Sequence, residues 1–238
     1  MLRHTGEKRT FIHNLRLAVL LCLNAGFINA AGFIAFSVLT TNVTGHAALL
    51  AVNLAALNLH AVRTVSLWLL LFLAGAFVSS WYIGKIGRNR SLAYTAPILV
   101  IICIVLLVAL LGKRQQLTQP ETEYFAGSLL FAMGMQNALV SMISGSVVRT
   151  THLTGMFTDL GIDLSMIVLS RNNFTTVHRR RVLLHFAIII FFLLGGVAGS
   201  ICFVSYGFHA FFVPVILLII AITYDAMRIL IKRTIKKW

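Results

Sequence analysis

A seven-residue phrase occurs twice in this chain and constrains the fold more than any other feature. It reads TTNVTGH over residues 40–46 and TTHLTGM over residues 150–156. Thr40, Thr41, Thr44 and Gly45 recur as Thr150, Thr151, Thr154 and Gly155, and Val43 against Leu153 is a conservative change. The match runs on at the same offset, with Leu50 on Leu160, Leu54 on Leu164 and Asn53 on Asp163. The reading is a duplicated unit, each copy built around a Thr-Thr-x-x-Thr-Gly break that opens a short helix.

The breaks interrupt very apolar sequence. Of 238 residues, 59% are hydrophobic and 11% charged, against about a quarter charged in soluble domains. Several runs reach the ~20 residues that cross a hydrocarbon core of roughly 30 Å. They are continuous rather than alternating, which argues for spanning helices and against a barrel. The expectation is an all-α polytopic membrane protein, one membrane domain over residues 1–238. The formal charge of +14 fits cytoplasmic loops rich in Lys and Arg. No soluble segment is long enough to read nucleic acid. Cys22, Cys103 and Cys202 each sit in an apolar run and read as small core residues. The basic lead before the first run imitates a signal peptide. It reads as uncleaved, because the first copy begins inside that run.

In order, apolar segments fall at 15–39, a short helix at 46–59, then 65–83 and 93–111. After a polar linker at 112–123 come 124–144, a short helix at 155–169, then 182–204 and 209–230. The first repeat covers 15–112 and the second 122–231. Gly75 and Ser79 in one copy, and Gly195, Gly196, Gly199 and Ser200 in the other, suit close helix approach. Asn24, Asn29 and Asn137 suit hydrogen bonding between helices. Asp225 and Arg228 read as a local i,i+3 pair.

Two arrangements remain open. If all four segments of a copy cross, the repeats are parallel and the protein spans eight times, 4+4. If the first two cross only once together, each copy spans three times and the repeats are inverted, 3+3. Equivalent loops differ in charge. Lys85, Arg88 and Arg90 oppose an uncharged turn at 206–208, and Arg63 opposes Arg171, Arg179, Arg180 and Arg181. That contrast favours inverted 3+3 repeats with both termini inside.

Backbone that leaves a helix inside hydrocarbon must be buried or line a watery cavity. Two helix N-termini, each with free N–H groups and partial positive charge, are expected to converge there. Thr44, Gly45, Thr154 and Gly155 form the breaks. A Thr44 or Asn42 side chain is suited to accept from the first free N–H groups. At helical spacing, Asn42, His46, Leu49 and Asn53 make one stripe, and His152, Met156, Asp159 and Asp163 the other. An intramembrane carboxylate marks a functional site by default, so Asp159 and Asp163 are candidates for proton or cation binding. His46 and His152 could assist, since imidazole titrates near neutral pH. The plain alternatives are a dipole-complementing or capping Asp159, an Asp163 paired with Arg149 or a buried amide, and hydrogen-bonded core histidines. With Asn29 and Asn137, these residues make the candidate substrate or ion site. No catalytic residue, metal ligand or cofactor is expected. Gly145-Ser146 with a distant His185 is weak support for a hydrolase.

At Asn29-Ala30, residues 41–46, Gln136-Asn137-Ala138 and residues 150–155, the chain resembles the YoaK-like bacterial membrane proteins, a family of unknown function. The resemblance covers residues 15–230 and implies a bacterial inner-membrane location. That family usually has an acidic residue before the alanine and an Asn after the Thr-Gly. Here Asn29 and His46 stand there, which shifts any titrating role toward Asp163.

The leading function is therefore a secondary transporter or permease for a small polar or charged solute, with proton coupling a natural option. The alternative is a membrane scaffold, sensor or intramembrane enzyme. Expected partners are membrane lipid and a small-molecule or ion substrate, with no nucleic acid; a homo-oligomer stays open.

Overall fold

A computed structural model describes residues 11–87, 92–112, 117–169 and 176–235. Every regular element among them is helical: α1 Phe11–Phe36, α2 Val43–Ala55, α3 Leu59–Ile86, α4 Leu92–Leu111, α5 Gln119–Ser144, α6 Leu153–Leu169, α7 Thr176–Tyr206 and α8 Phe212–Ile235. A five-residue 3-10 turn, Gly207–Phe211, joins α7 to α8. Lys8, Arg9, Arg88, Arg90, Lys113, Arg114, Arg171 and Asn173 lie outside the described residues, as do the side chains of Asp225, Arg228 and the basic tail.

Five stretches are long and apolar enough to cross a membrane: Phe11–Phe36, Leu59–Ile86, Ala93–Leu111, Gln119–Ser144 and the 47-residue run His178–Tyr224. The helices start earlier than the apolar runs do. α3 begins at Leu59, six residues before the apolar run at 65, because Asn58 caps it by accepting from Ala61 N–H at 3.3 Å. α5 begins at Gln119 through a Thr118–Glu121 capping box.

α1 and α5 form the centre and α3 the periphery. In their most apolar windows 61% and 67% of α1 and α5 is buried, against 17% of α3. α1 packs most extensively on α7, and α3 on α5. The contacts fix direction. Arg180 lies over the Phe11 ring, so α7 starts where α1 starts. Trp68 Nε1 donates to the Glu123 carbonyl at 3.2 Å, and His60 lies 3.7 Å from the Glu123 carboxylate, so α3 and α5 start together. Phe36, at the end of α1, stacks on Phe125, at the start of α5, with centroids 6.1 Å apart. Thus α1 runs parallel to α7, α3 parallel to α5, and these two pairs run opposite ways.

Glycine makes both crossings. A Cβ at Gly26 would fall on the Phe192 carbonyl, and one at Gly195 on the Leu23 carbonyl. In the other crossing, Gly134 would meet the Phe72 carbonyl and Gly75 the Phe131 carbonyl. Without hydrophobic drive between helices in lipid, such backbone approach is how spans associate. Across the centre Asn24 donates to Gln136 Oε1 at 2.7 Å, and Gln136 Nε2 to the Leu21 carbonyl at 3.0 Å.

Of the cysteines, Cys22 is a core residue, but Cys103 is exposed on the apolar surface of α4 and Cys202 is partly buried. Composition places all three in apolar runs, yet it does not say which face of the helix each takes.

Candidate functional site

Each break is a short non-helical segment whose backbone is satisfied by side chains. After α1 the chain turns at Ser37, with φ 56°. Asn29 Oδ1 then accepts the Thr41 N–H at 3.1 Å. Asn42 Oδ1 caps α2 by accepting Gly45 N–H at 2.9 Å. His46 Nε2 lies 2.8 Å from the Leu39 carbonyl. Three polar side chains thus answer for the backbone groups that leave the helix here. Thr44 takes no capping part, since it already lies in the first turn of α2.

The second break carries two more residues, 145–149 where the first has 37–39. Gly145 and Ser146 both take φ 64°, and Ser144 Oγ accepts Val148 N–H at 3.0 Å. Thr150 Oγ1 donates to Asn137 Oδ1 at 3.3 Å. Asn29 and Asn137 therefore tie each break to its own preceding helix rather than bridging separate helices. Bridging falls to Asn24 and Gln136.

The two breaks meet. Asn29, Asn42, Thr44, Asn137, His152 and Thr154 line one cavity of about 340 Å³, within the ~300–1,000 Å³ of small-molecule sites. Phe72 and Phe192 face it from α3 and α7. They are the residues whose carbonyls receive Gly134 and Gly26. Sequence reasoning missed both, because a phenylalanine in an apolar run carries no signal; their place beside the paired glycines was the available clue. Among the described residues, no carboxylate, lysine or arginine lines this cavity.

Other candidates stand elsewhere. His46 is buried, pinned to Leu39 and edge-on to Trp68 at 5.7 Å. Asn53 donates to the Leu49 carbonyl of its own helix at 2.8 Å. Leu49, at 49% exposed, breaks the expected stripe. Gly45 lies against Asn42, the cap of its helix. None of His46, Gly45 and Asn53 lines the cavity.

A second pocket, about 480 Å³, lies between α6 and α7. Arg149, His152, Gly155, Asp159, Arg181 and His185 line it. His152 borders both spaces. Asp163 is 1% exposed. Its Oδ2 lies 3.1 Å from His185 Nδ1 and its Oδ1 3.5 Å from the Arg181 guanidinium. Neither oxygen accepts an aligned hydrogen bond; the carboxylate is ion-paired with the Arg181 guanidinium and faces the His185 ring. Asp163 therefore does not pair with Arg149. That guanidinium reaches His152 Nδ1 instead, at 3.3 Å. Arg181 and His185 were missed as its partners because the α6–α7 packing that joins them is non-local. Ser146 shares the pocket with His185, but no hydrogen bond joins them among the described residues, so no nucleophile–base pair is assembled.

An all-helical protein of membrane type, with interrupted helices around a polar cavity, is the class these features define. The chain belongs to the family described as "Protein of unknown function (DUF1275)", which it matches over residues 17–224. That agrees with the YoaK-like resemblance of its motifs. No curated protein and no solved structure matches the chain.

Proposed function

We propose that this protein is a secondary transporter or permease for a small polar or charged solute, built from two inverted three-span repeats. The observation that carries the reading is the meeting of both Thr-Gly breaks at one cavity, the position at which inverted-repeat transporters bind their solutes. Further support comes from the antiparallel course of α1 and α5, the first helices of the two copies. The paired glycine crossings relate by constant shifts: Gly26 to Gly134 and Leu23 to Phe131, Gly75 to Gly195 and Phe72 to Phe192. The run His178–Tyr224, bent at its 3-10 turn, is about 70 Å long at 1.5 Å per residue, enough for two crossings. α2, with 13 residues, reaches only about 20 Å and cannot cross alone.

In this reading both termini are cytoplasmic, in a bacterial inner membrane. Arg16, Lys85 and residues 179–181 lie inside, and Glu123 lies outside. The outer end is closed by Phe36, Phe125, Phe203, Phe208 and Phe211, whose rings pack at 5.4–6.4 Å, and by the His46–Trp68–Glu123 contacts. The inner side opens through the α6–α7 pocket. This is an inward-facing arrangement, and the protein acts by exchange of access rather than as an enzyme. Asp163 is the proton-coupling candidate.

The test compares metabolite uptake and efflux in a deletion strain and its complemented parent. At least one small polar solute should redistribute. Identical profiles across a broad panel would remove the transport reading. Separately, a cysteine at Lys85 should label from the cytoplasm and one at Thr118 from outside; labelling of both from one side would remove the inverted topology.

A further inference from the structure

The α6–α7 pocket contains a charge imbalance in space rather than in number. Arg181 is matched by Asp163. Arg149 and Asp159 remain. Among the described residues Arg149 bonds only the His152 ring, and no hydrogen bond or ion pair reaches Asp159. Both line the same space of about 480 Å³, yet they do not reach each other. His185, 7% exposed, also borders the pocket, its Nδ1 turned to Asp163 Oδ2 at 3.1 Å.

Arg149 is exposed and Asp159 half-buried, so both charges are open to a ligand that enters the pocket. A simple anion would satisfy Arg149 and leave Asp159 repelling it. A simple cation would do the reverse. A ligand carrying both charges satisfies both. The arrangement is also specific to one half. By the shifts that relate the copies, Asp159 falls on Leu49, Asp163 on Asn53, and Arg181 and His185 on Ala61 and Val65. The α2–α3 counterpart is thus stripped of charge, whereas a purely structural role would suit either half.

We infer that the α6–α7 pocket binds a zwitterion of the α-amino-acid class, its carboxylate on Arg149 and its ammonium on Asp159. This rests on the transport reading, with the pocket as the inner vestibule: His152, which borders both spaces, hands the solute to the central cavity. The carboxylate meets a guanidinium suited to two parallel hydrogen bonds, and the α6 N-terminus lies on the same side. The ammonium end meets Asp159 one to two turns further along the helix.

Binding is measured on the purified full-length protein in detergent, independently of flux, by thermal shift and equilibrium dialysis. The probes are the common α-amino acids, each beside its matched amine lacking the carboxylate and its matched acid lacking the amine. At least one amino acid should bind saturably and at least tenfold more tightly than both its amine and its acid. Arg149→Gln and Asp159→Asn should each weaken it tenfold or more, Arg149→Lys should recover part of the loss, and Asp159→Asn should bring the matched acid level with the amino acid. Absence of amino-acid binding, equal binding of acid or amine, or unchanged affinity in both folded variants would overturn the proposal. Binding without counterflow in proteoliposomes would keep the site and remove transport. Flux of another solute class without amino-acid binding would do the opposite.

Discussion

Asn29 holds Thr41 across twelve residues, its Oδ1 accepting the Thr41 N–H at 3.1 Å. Asn137 does the corresponding work in the second half by accepting from Thr150 at 3.3 Å. The carboxamides are thus parts of the breaks before they are ligands. Asn29→Ala strands a buried N–H, which costs about 1–3 kcal/mol. The thermal midpoint of the purified protein should fall. Asn29→Asp keeps the acceptor oxygen and should lie nearer the parent. Equal midpoints for parent and alanine variant would show that the Thr41 N–H finds another acceptor.

The glycine crossings make a sharper demand. A Cβ at Gly26 or Gly75 meets backbone carbonyls, which cannot swing aside as a side chain does, whereas one at Gly84 meets nothing within 4 Å. Gly26→Val and Gly75→Val should each cost at least the roughly 1–3 kcal/mol of an overpacked contact and broaden the size-exclusion peak. Gly84→Ala should be neutral or slightly stabilising, since alanine is favoured over glycine in a helix by about 1 kcal/mol. Similar losses at all three positions would mean that the helices tolerate displacement and that close approach is not what joins them.

The sequence made the local features legible and hid the non-local ones. Thr-Gly breaks, apolar length and the Gly75–Ser79 spacing are written in neighbouring residues. Asn42 and Thr44 could be named as cap candidates because capping is a three-residue affair, and the structure chooses Asn42. That α1 would pack on α7 rather than on its own copy's α3 is not a local property, and with it went Phe72, Phe192, Arg181 and His185. In the sequence Arg181 reads only as a loop charge, since the positive-inside rule explains any arginine beside a span. The error in the α2 stripe has another cause. In lipid both faces of a helix are apolar, so helical spacing cannot say which face turns inward, and Leu49 turns out.

Asp163 separates a structural from a coupling role. Arg181→Ala leaves a carboxylate that is 1% exposed with His185 alone, and should cost about 3 kcal/mol. Asp163→Asn should cost less, because the Arg181 side chain is 55% exposed and can rehydrate. The double variant should recover most of what Arg181→Ala loses. In proteoliposomes Asp163→Asn should abolish solute-dependent proton flux at unchanged protein level. Full flux in the folded variant would take Asp163 out of the mechanism, leaving it as an anchor between α6 and α7.

The shared cavity predicts a common fate for two positions remote in sequence. Thr44 and Thr154 lie in different halves and on different helices, yet both border the same space of about 340 Å³. In a background with Cys22, Cys103 and Cys202 replaced by alanine, a cysteine at either position faces one body of water. In inside-out vesicles a membrane-impermeant thiol reagent should therefore label both, at rates within severalfold of each other. In the inward-facing arrangement proposed above, the same reagent on right-side-out vesicles should react at least tenfold more slowly with both, because the aromatic cluster would close that end. A cysteine at Val52, 65% exposed on the apolar surface of α2, should resist labelling from either side, since thiolate formation is suppressed in hydrocarbon. Reaction of Thr44→Cys from one side and Thr154→Cys only from the other would divide the space in two, and each break would then serve a surface of its own.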